Sequence, residues 1–360
     1  MKILEVLDLI ACLFILLTGL PSNLLAFYTF LLKASKKPTP IDILLLNLTI
    51  SDILLLLFLP FKMLEVTSIM VWSLPTLLCP LTDYFLYGSI YISILFLMAV
   101  SMDRYLAVAH PIKYKLKRRP IYAVVASIFM WLLVSSHYSF VYLAMHQDSN
   151  GSLSHSSNIS DCYDNFFPEV IFPLRLEICL IFFWLPFMVT LFCYVNVIQI
   201  LNSLPNLPKR KKQRAIGLAV ATLLSFVFCF GPFNISHLVG FIQKQGPPWR
   251  MECFLLSTLN ACLDPVIFYF SSKAIRETFT RFWNGKCRKI QTLLPWCNGP
   301  CCRGPPDNDE GERAGPFSSS SLQSEYQVNV AQSIEQKGPL HQTSRENYSP
   351  NGGVSLPGGV

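Results

Sequence analysis

Apolar residues dominate seven long runs, roughly 7–32, 41–65, 77–109, 120–144, 170–201, 212–242 and 250–270. Each reaches the length of about 20 residues that a helix needs to cross a bilayer. After the seventh run the pattern changes. Over 271–284 only Ile275, Phe279, Phe282 and Trp283 are large and apolar, at helical spacing, with Lys273, Arg276 and Arg281 between them. That alternation predicts a short amphipathic helix lying on the inner leaflet. Residues 285–360 are polar and rich in Pro, Gly and Ser, with no hydrophobic period, and read as a disordered cytoplasmic tail. The predicted fold class is an all-α membrane protein. A seven-transmembrane helix bundle with a short amphipathic eighth helix fills 1–284, and the tail fills 285–360.

Composition agrees with the pattern: 52% of the 360 residues are hydrophobic and only 14% charged, against about 25% charged in an average soluble chain. Basic residues then set the orientation. Lys33, Lys36 and Lys37 follow the first run, Lys113, Lys115, Lys117, Arg118 and Arg119 the third, and Lys209, Arg210, Lys211, Lys212 and Arg214 the fifth. Between His146 and Phe172 there is no Lys or Arg. Those basic loops and the tail are expected inside the cell, with an extracellular N-terminus on a multi-pass protein of the plasma membrane. The first run is too long for a signal peptide and lacks a clear cleavage site, so it is expected to act as an anchor. The net charge of +7 is therefore a topology signal, not a sign of nucleic-acid binding.

Of twelve cysteines, Cys79 and Cys162 fall at or beside outer loops, where a disulfide persists. Asn150-Gly-Ser and Asn158-Ile-Ser lie in the loop of Cys162 and can accept glycans. Asn47 and Asn234 also begin glycan-acceptor triplets, but inside runs. Cys287 directly follows the amphipathic segment on the inner side, where palmitoylation is the expected chemistry.

Ionisable residues inside a bilayer are expensive and face the protein interior or water. Asp52 sits in "NLTISDILLLL" and Asp264 in "LNACLDPVIFYF". With Asn23, Ser93 and Asn260 they make either a polar glue between helices or a switch centre sensitive to sodium or protons, the sodium lying near Asp52, Ser93 and Asp264. At the inner end of the third run, Asp103 stands beside Arg104 and Tyr105 in "MAVSMDRYLAVAHP", able to restrain the guanidinium.

Together "GLPSNLLA", "NLTISD", Cys79, "DRYLAVAHP", Trp131, Pro186, "FCFGPFN" and "DPVIFYF" resemble the rhodopsin-like, class A G-protein-coupled receptors over about 1–285. The sixth run departs from the family with Cys-Phe-Gly-Pro where many members have a tryptophan. The seventh departs with Asp-Pro and Phe268 where Asn-Pro and tyrosine are usual. No acidic residue lies between Pro205 and Pro232, so Arg104 has no acid on the inner part of the sixth helix, and appreciable basal signalling is expected. The resemblance implies heterotrimeric G proteins as partners. Ser318 to Ser321, near Glu310 and Glu312, are candidate phosphorylation sites for arrestin binding.

The stretch "FPLRLEICL" puts Arg175 at the head of the fifth run, and "PPWRMECFLLS" puts Arg250 at the head of the seventh. Both lie on the outer side, where basic residues are scarce. His237 is five residues beyond Pro232, about 7.5 Å further out at 1.5 Å per residue. His137 lies in the outer half of the fourth run. A single arginine at a span end commonly snorkels to the headgroups, and a single histidine commonly serves as a structural hydrogen-bonder. Glu177 cannot pair with Arg175, nor Glu252 with Arg250, because residues two apart on a helix do not face each other, which leaves Asp83, Asp164 and Glu169 as the alternative ion-pair partners. Two guanidiniums and two imidazoles at similar depth on four helices make an anion trap, and a guanidinium matches a carboxylate bidentately.

"RLEICL", "GPFNISHLVGF", "WR", "STLNACLDPVIFYFSS" and "YKLKRRPIY" resemble the free fatty acid receptors, above all the short-chain type. That resemblance implies that Arg175 and Arg250 clamp a ligand carboxylate, that His237 and His137 assist, and that Tyr87 and Tyr91 line the pocket. It implies Gi-type and Gq-type coupling. Phe233 stands where that family is expected to carry a tyrosine. The competing readings are a receptor for another small anion (a medium-chain fatty acid, hydroxycarboxylate or nucleotide) and a carboxylate transporter. The odd number of runs and the lack of internal repeats oppose the transporter. No metal-ligand spacing, partnered nucleophile or phosphate-cradling loop supports an enzyme.

Overall fold

The computed structural model describes residues 3–36, 38–67, 75, 78–117, 119–149, 168–204, 208–272 and 275–281. Among these, seven helical segments are long and apolar enough to cross a membrane, and no residue is in a strand. Helices α1 (Ile3–Lys36), α2 (Pro40–Thr67) and α3 (Leu78–Ala109) form the first three spans. A short α4 (Pro111–Lys117) follows, and α5 (Pro120–Ser149) carries the fourth span. The fifth span joins α6 (Pro168–Ile178) to α7 (Leu185–Ser203), and the sixth joins α8 (Lys209–Leu224) to α9 (Gly231–Gln243). The seventh consists of α10 (Arg250–Thr258) and α11 (Asn260–Ser271).

The fifth and sixth spans are interrupted alike. A wide π turn covers Cys179–Trp184 and another covers Ser225–Phe230. Each ends just before a proline, Pro186 or Pro232. Proline lacks an N–H, and its ring crowds the carbonyl four residues back. A π turn accommodates this by inserting one extra residue into the helical ladder.

The third span is the axis of the bundle: every residue from Gly88 to Leu97 is buried. The same core holds Phe30, Leu45, Leu48, Leu56, Phe226, Phe230, Phe254 and Phe268, all nearly solvent-free. By contrast α5 shows Ile121, Val125, Ile128, Phe129 and Leu132 on its surface, a flank suited to lipid. Polar stitches join the spans, as expected where apolar burial alone gives no drive for helix association. Trp131 Nε1 donates to Asn47 Oδ1 at 3.0 Å, Asn23 Nδ2 to the Ala261 carbonyl at 2.7 Å, and Tyr84 pairs with Ser135 at 2.7 Å. Asn47 and the fully buried Asn234 are thus used inside the bundle.

The first loop is fastened by its own sequence. Thr39 precedes Pro40 at the first turn of α2, and the Thr39 amide donates to Asp42 Oδ2 at 3.3 Å, the reciprocal half of a capping box. Lys33 Nζ closes on the other oxygen of Asp42 at 2.6 Å.

After the seventh span, residues 275–281 are helical, with Ile275 buried and Phe279 exposed. Arg276 Nη1 donates to the Tyr269 carbonyl at 2.9 Å, satisfying an acceptor at the end of α11. Burial, with the nearby charge of Arg214, pulls the Arg276 pKa below its ordinary value. Phe282, Trp283, Cys287 and the predicted tail lie outside the described residues, as do Asn150, Asn158 and Cys162. Cys79 is disulfide-bonded.

Candidate functional site

At the end of the bundle that the basic loops assign to the outside, four side chains from the third and sixth spans interlock. Tyr87 and Tyr91 are one helical turn apart on α3, as Phe233 and His237 are on α9, so each pair shares a helix face. The Tyr87 and Phe233 rings stack with centroids 5.8 Å apart. His237 Nε2 meets the Tyr91 hydroxyl at 3.1 Å. The Phe233 ring also touches His237 edge-on at 4.6 Å. Phe254 of the seventh span leans on Tyr87 at 5.0 Å and on Phe233 at 6.1 Å. Tyr91 and His237 are buried; the Tyr91 hydroxyl also lies 3.4 Å from Asn234 Oδ1.

The two arginines influence this aromatic floor through their charge. Both are half-buried, and the charges of Arg250 and Arg175 act on Tyr91 and His237 alike. The Arg175 guanidinium lies over the Phe172 ring, 5.9 Å from its centroid. Arg250 is the first residue of α10, where the helix dipole disfavours a cation, and Glu252 in the same turn offsets this. Glu252 Oε2 is itself buried without a hydrogen-bond partner.

His137 stands apart from the Tyr91–His237 pair. It packs against Phe182 at 5.4 Å, and Phe182 in turn packs against Tyr91 at 6.2 Å. Its Nε2 is buried without a hydrogen-bond partner, as is His237 Nδ1. Two ring nitrogens are thus left to be satisfied, that of His237 against the Phe233 ring and that of His137 against the Phe182 ring. Aromatic side chains with unsatisfied ring nitrogens and two acting positive charges are groups able to take a small anion carrying a short apolar tail.

Two residues of this region carry charge that the sequence reading did not single out. Lys62 Nζ and Glu65 Oε2 form an ion pair at 2.8 Å, with side chains only 8% and 6% exposed. Tyr87 feels the charges of Lys62, Asp83, Arg250 and Glu65 together. The available signal was two charged residues, three apart, inside the second apolar run.

Deeper in, Asp52 and Asp264 each have a polar partner inside the bundle. Asp52 accepts from Ser93 at 3.4 Å, and Asn260 Nδ2 donates to Asp264 Oδ2 at 2.8 Å. Asp52 and Asp264 act on one another. Asp52 Oδ2, Asp264 Oδ1, Asn260 Oδ1 and Asn23 Oδ1 are buried without partners. Such a cluster of unsatisfied oxygens fits a hard monovalent cation.

At the inner end the latch differs from the expected one. Asp103 Oδ1 accepts the Tyr114 hydroxyl at 2.6 Å, while Arg104 Nη2 reaches across to the Ser271 carbonyl at 3.4 Å. Asp103 Oδ2 and Arg104 Nε have no hydrogen-bond partner. Tyr114, from α4, occupies the acid, and the guanidinium is drawn to the end of the seventh span. Tyr105 rests on Phe192 of the fifth span at 5.8 Å.

Comparison with known proteins adds an independent line. The family model described as "7 transmembrane receptor (rhodopsin family)" matches residues 22–268, more than half of the chain. Free fatty acid receptor 2 of Mus musculus is 46% identical over 275 residues, covering 75% of this chain and 83% of that receptor. Free fatty acid receptor 3 of Mus musculus is 42% identical over 287 residues, covering 79% and 88%. Free fatty acid receptor 1 of Macaca fascicularis is 32% identical over 258 residues, covering 69% and 86%.

Proposed function

The chain belongs to the free fatty acid receptors, within the rhodopsin family of seven-transmembrane receptors, and on that premise we propose that it senses short-chain carboxylates. Acetate, propionate and butyrate are the proposed ligands. Arg175 and Arg250 clamp the carboxylate, His237 and Tyr91 hold its remaining lone pairs, His137 assists through the Phe182 side, and Tyr87 and Phe233 wall the acyl tail. The observation that carries this reading is the buried Tyr91–His237 contact on which both arginine charges act.

Magnitudes favour a charge-driven site. A short-chain acid, whose carboxyl resembles that of Glu with its pKa of about 4.3, is ionised at neutral pH. Each buried methylene contributes only about 0.8 kcal/mol. The ceiling for tiny ligands is about 1.5 kcal/mol per heavy atom, so a five-atom acid gains at most about 7.5 kcal/mol. That limits Kd to about several micromolar, and paired guanidiniums must provide most of it.

Signalling in this proposal passes to Gi-type and Gq-type proteins at the plasma membrane, with an extracellular N-terminus. Arrestin engages the phosphorylated tail, Cys79 pairs with Cys162, glycans sit on Asn150 and Asn158, and palmitoylated Cys287 anchors the amphipathic eighth helix to membrane lipids. Asp52, Ser93 and Asp264, with Asn260, are the residues that would hold an allosteric sodium ion. Such an ion would supply positive charge to carboxylates that otherwise face each other.

The test is a cell-based calcium and cAMP response to acids of two to eight carbons. Arg175→Ala and Arg250→Ala are each expected to weaken potency by about 100-fold, the scale of a lost charged hydrogen-bond pair, with surface expression retained. Arg→Lys at either place is expected to fail to restore it, because an ammonium lacks the planar fork. Full responses in both alanine variants would refute the clamp. A second reading, a receptor for a larger or more highly charged anion, draws on Lys62 as a third cation near Tyr87; the same ligand panel separates the two.

A further inference from the structure

The buried pair Lys62–Glu65 is a costly device for a helix that faces lipid on one side. Each buried ion loses several kcal/mol of hydration, which mutual attraction offsets only in good geometry. Here the geometry is good, at 2.8 Å, and both side chains are almost fully enclosed. The pair has a definite neighbour. Lys62 acts on Tyr87, Asp83 and Glu65, and Tyr87 in turn feels Arg250 from the seventh span. The Tyr87 ring, stacked on Phe233, is therefore under the influence of two cations from different spans. One of them, Lys62, brings its own counter-ion on the same helix.

We infer that Glu65 acts as a built-in counter-ion that reserves Lys62 and thereby restricts the receptor to ligands with a single carboxylate. This rests on the carboxylate-sensing reading given above. A diacid held by its first carboxylate at the arginines would carry its second toward the Tyr87 wall. The cation on that side is already engaged, and the Glu65 carboxylate repels the newcomer. Rejection by like charge is a common way to separate ligands that share one anchoring group. A monoacid presents only methyl or methylene groups there and pays no such penalty.

The test uses the full-length receptor in cells, with surface level measured alongside, and compares glutarate and succinate with propionate. Glu65→Gln removes the acid hydrogen-bonded to Lys62 and leaves it only the influence of Asp83, and the glutarate-to-propionate potency ratio is expected to rise at least about tenfold, or 1.4 kcal/mol. In Lys62→Met/Glu65→Gln the cation is gone along with the repelling acid, and the ratio is expected to fall clearly below that of Glu65→Gln. Should Glu65→Gln fail to reach the surface, Glu65→Asp retains a counter-charge on a shorter arm, and a rise of about threefold is expected. An unchanged ratio in the variant that reaches the surface, or a gain just as large without Lys62, would overturn the inference. If the unmodified receptor ignores propionate, the carboxylate reading fails. If it responds, and loses the response on Arg175→Ala, while Glu65 variants leave the ratio unmoved, only the counter-ion role fails.

Discussion

The Tyr91 hydroxyl joins the third span to the sixth through His237 Nε2 and Asn234. Tyr91→Phe removes one atom from a buried network and leaves His237 with both nitrogens unpartnered. At about 1–1.5 kcal/mol for a lost neutral hydrogen bond, propionate potency is expected to fall about tenfold at unchanged surface level, read as EC50 in a calcium assay. The arginines and histidines of this region were legible because a charge in an apolar run needs a reason. The two tyrosines were legible only through family resemblance, since an aromatic residue in a membrane helix looks alike facing lipid or facing a pocket. Lys62 and Glu65 were passed over because charges near the end of an apolar run usually reach the water at the span end. Here both are enclosed.

At the scale of helices, the runs foreseen from composition closely match the observed spans, for example 212–242 against Lys212–Gln243 and 170–201 against Phe172–Ser203. The two π turns were not foreseen. A helix that is apolar on every side has no stripe whose phase could reveal one extra residue. The prolines gave the only hint. Close approach between the inner sixth and seventh spans was equally hidden. A Cβ added at Gly217 would come within 2.6 Å of the Phe270 ring, a distance that forces one partner to move. Gly217→Ala is therefore expected to pry these spans apart at their inner ends. Basal G-protein signalling should rise about two- to fivefold, corresponding to a shift of about 1 kcal/mol between resting and signalling states. Phe270→Ala in the same background should bring it back toward the original level. Inositol phosphate accumulation without ligand measures both, and an unchanged basal level in Gly217→Ala at normal surface density would contradict the expectation.

Across the whole molecule, the two ends of the bundle differ in how their charges are held. Near the outer mouth Lys62 is tied to Glu65, while at the inner end Asp103 and Arg104 have separate partners, Tyr114 and Ser271. With no acid on the inner sixth span to reinforce a resting latch, ligand-free receptor is expected to lower cAMP measurably below that of cells lacking it. Equal levels would show that the Arg104–Ser271 contact suffices to keep the receptor silent. The exposed flank of α5 has a practical meaning for handling the protein outside a cell. Ile121, Val125, Ile128, Phe129 and Leu132 line it, and Trp131–Asn47 and Tyr84–Ser135 are two side-chain stitches that tie this helix to the second and third. A harsh short-chain detergent would wedge along that seam first, so the indole emission of Trp131 should redden before the remainder of the bundle loosens. Mild long-tailed surfactants or nanodiscs are the media in which the fold should survive purification.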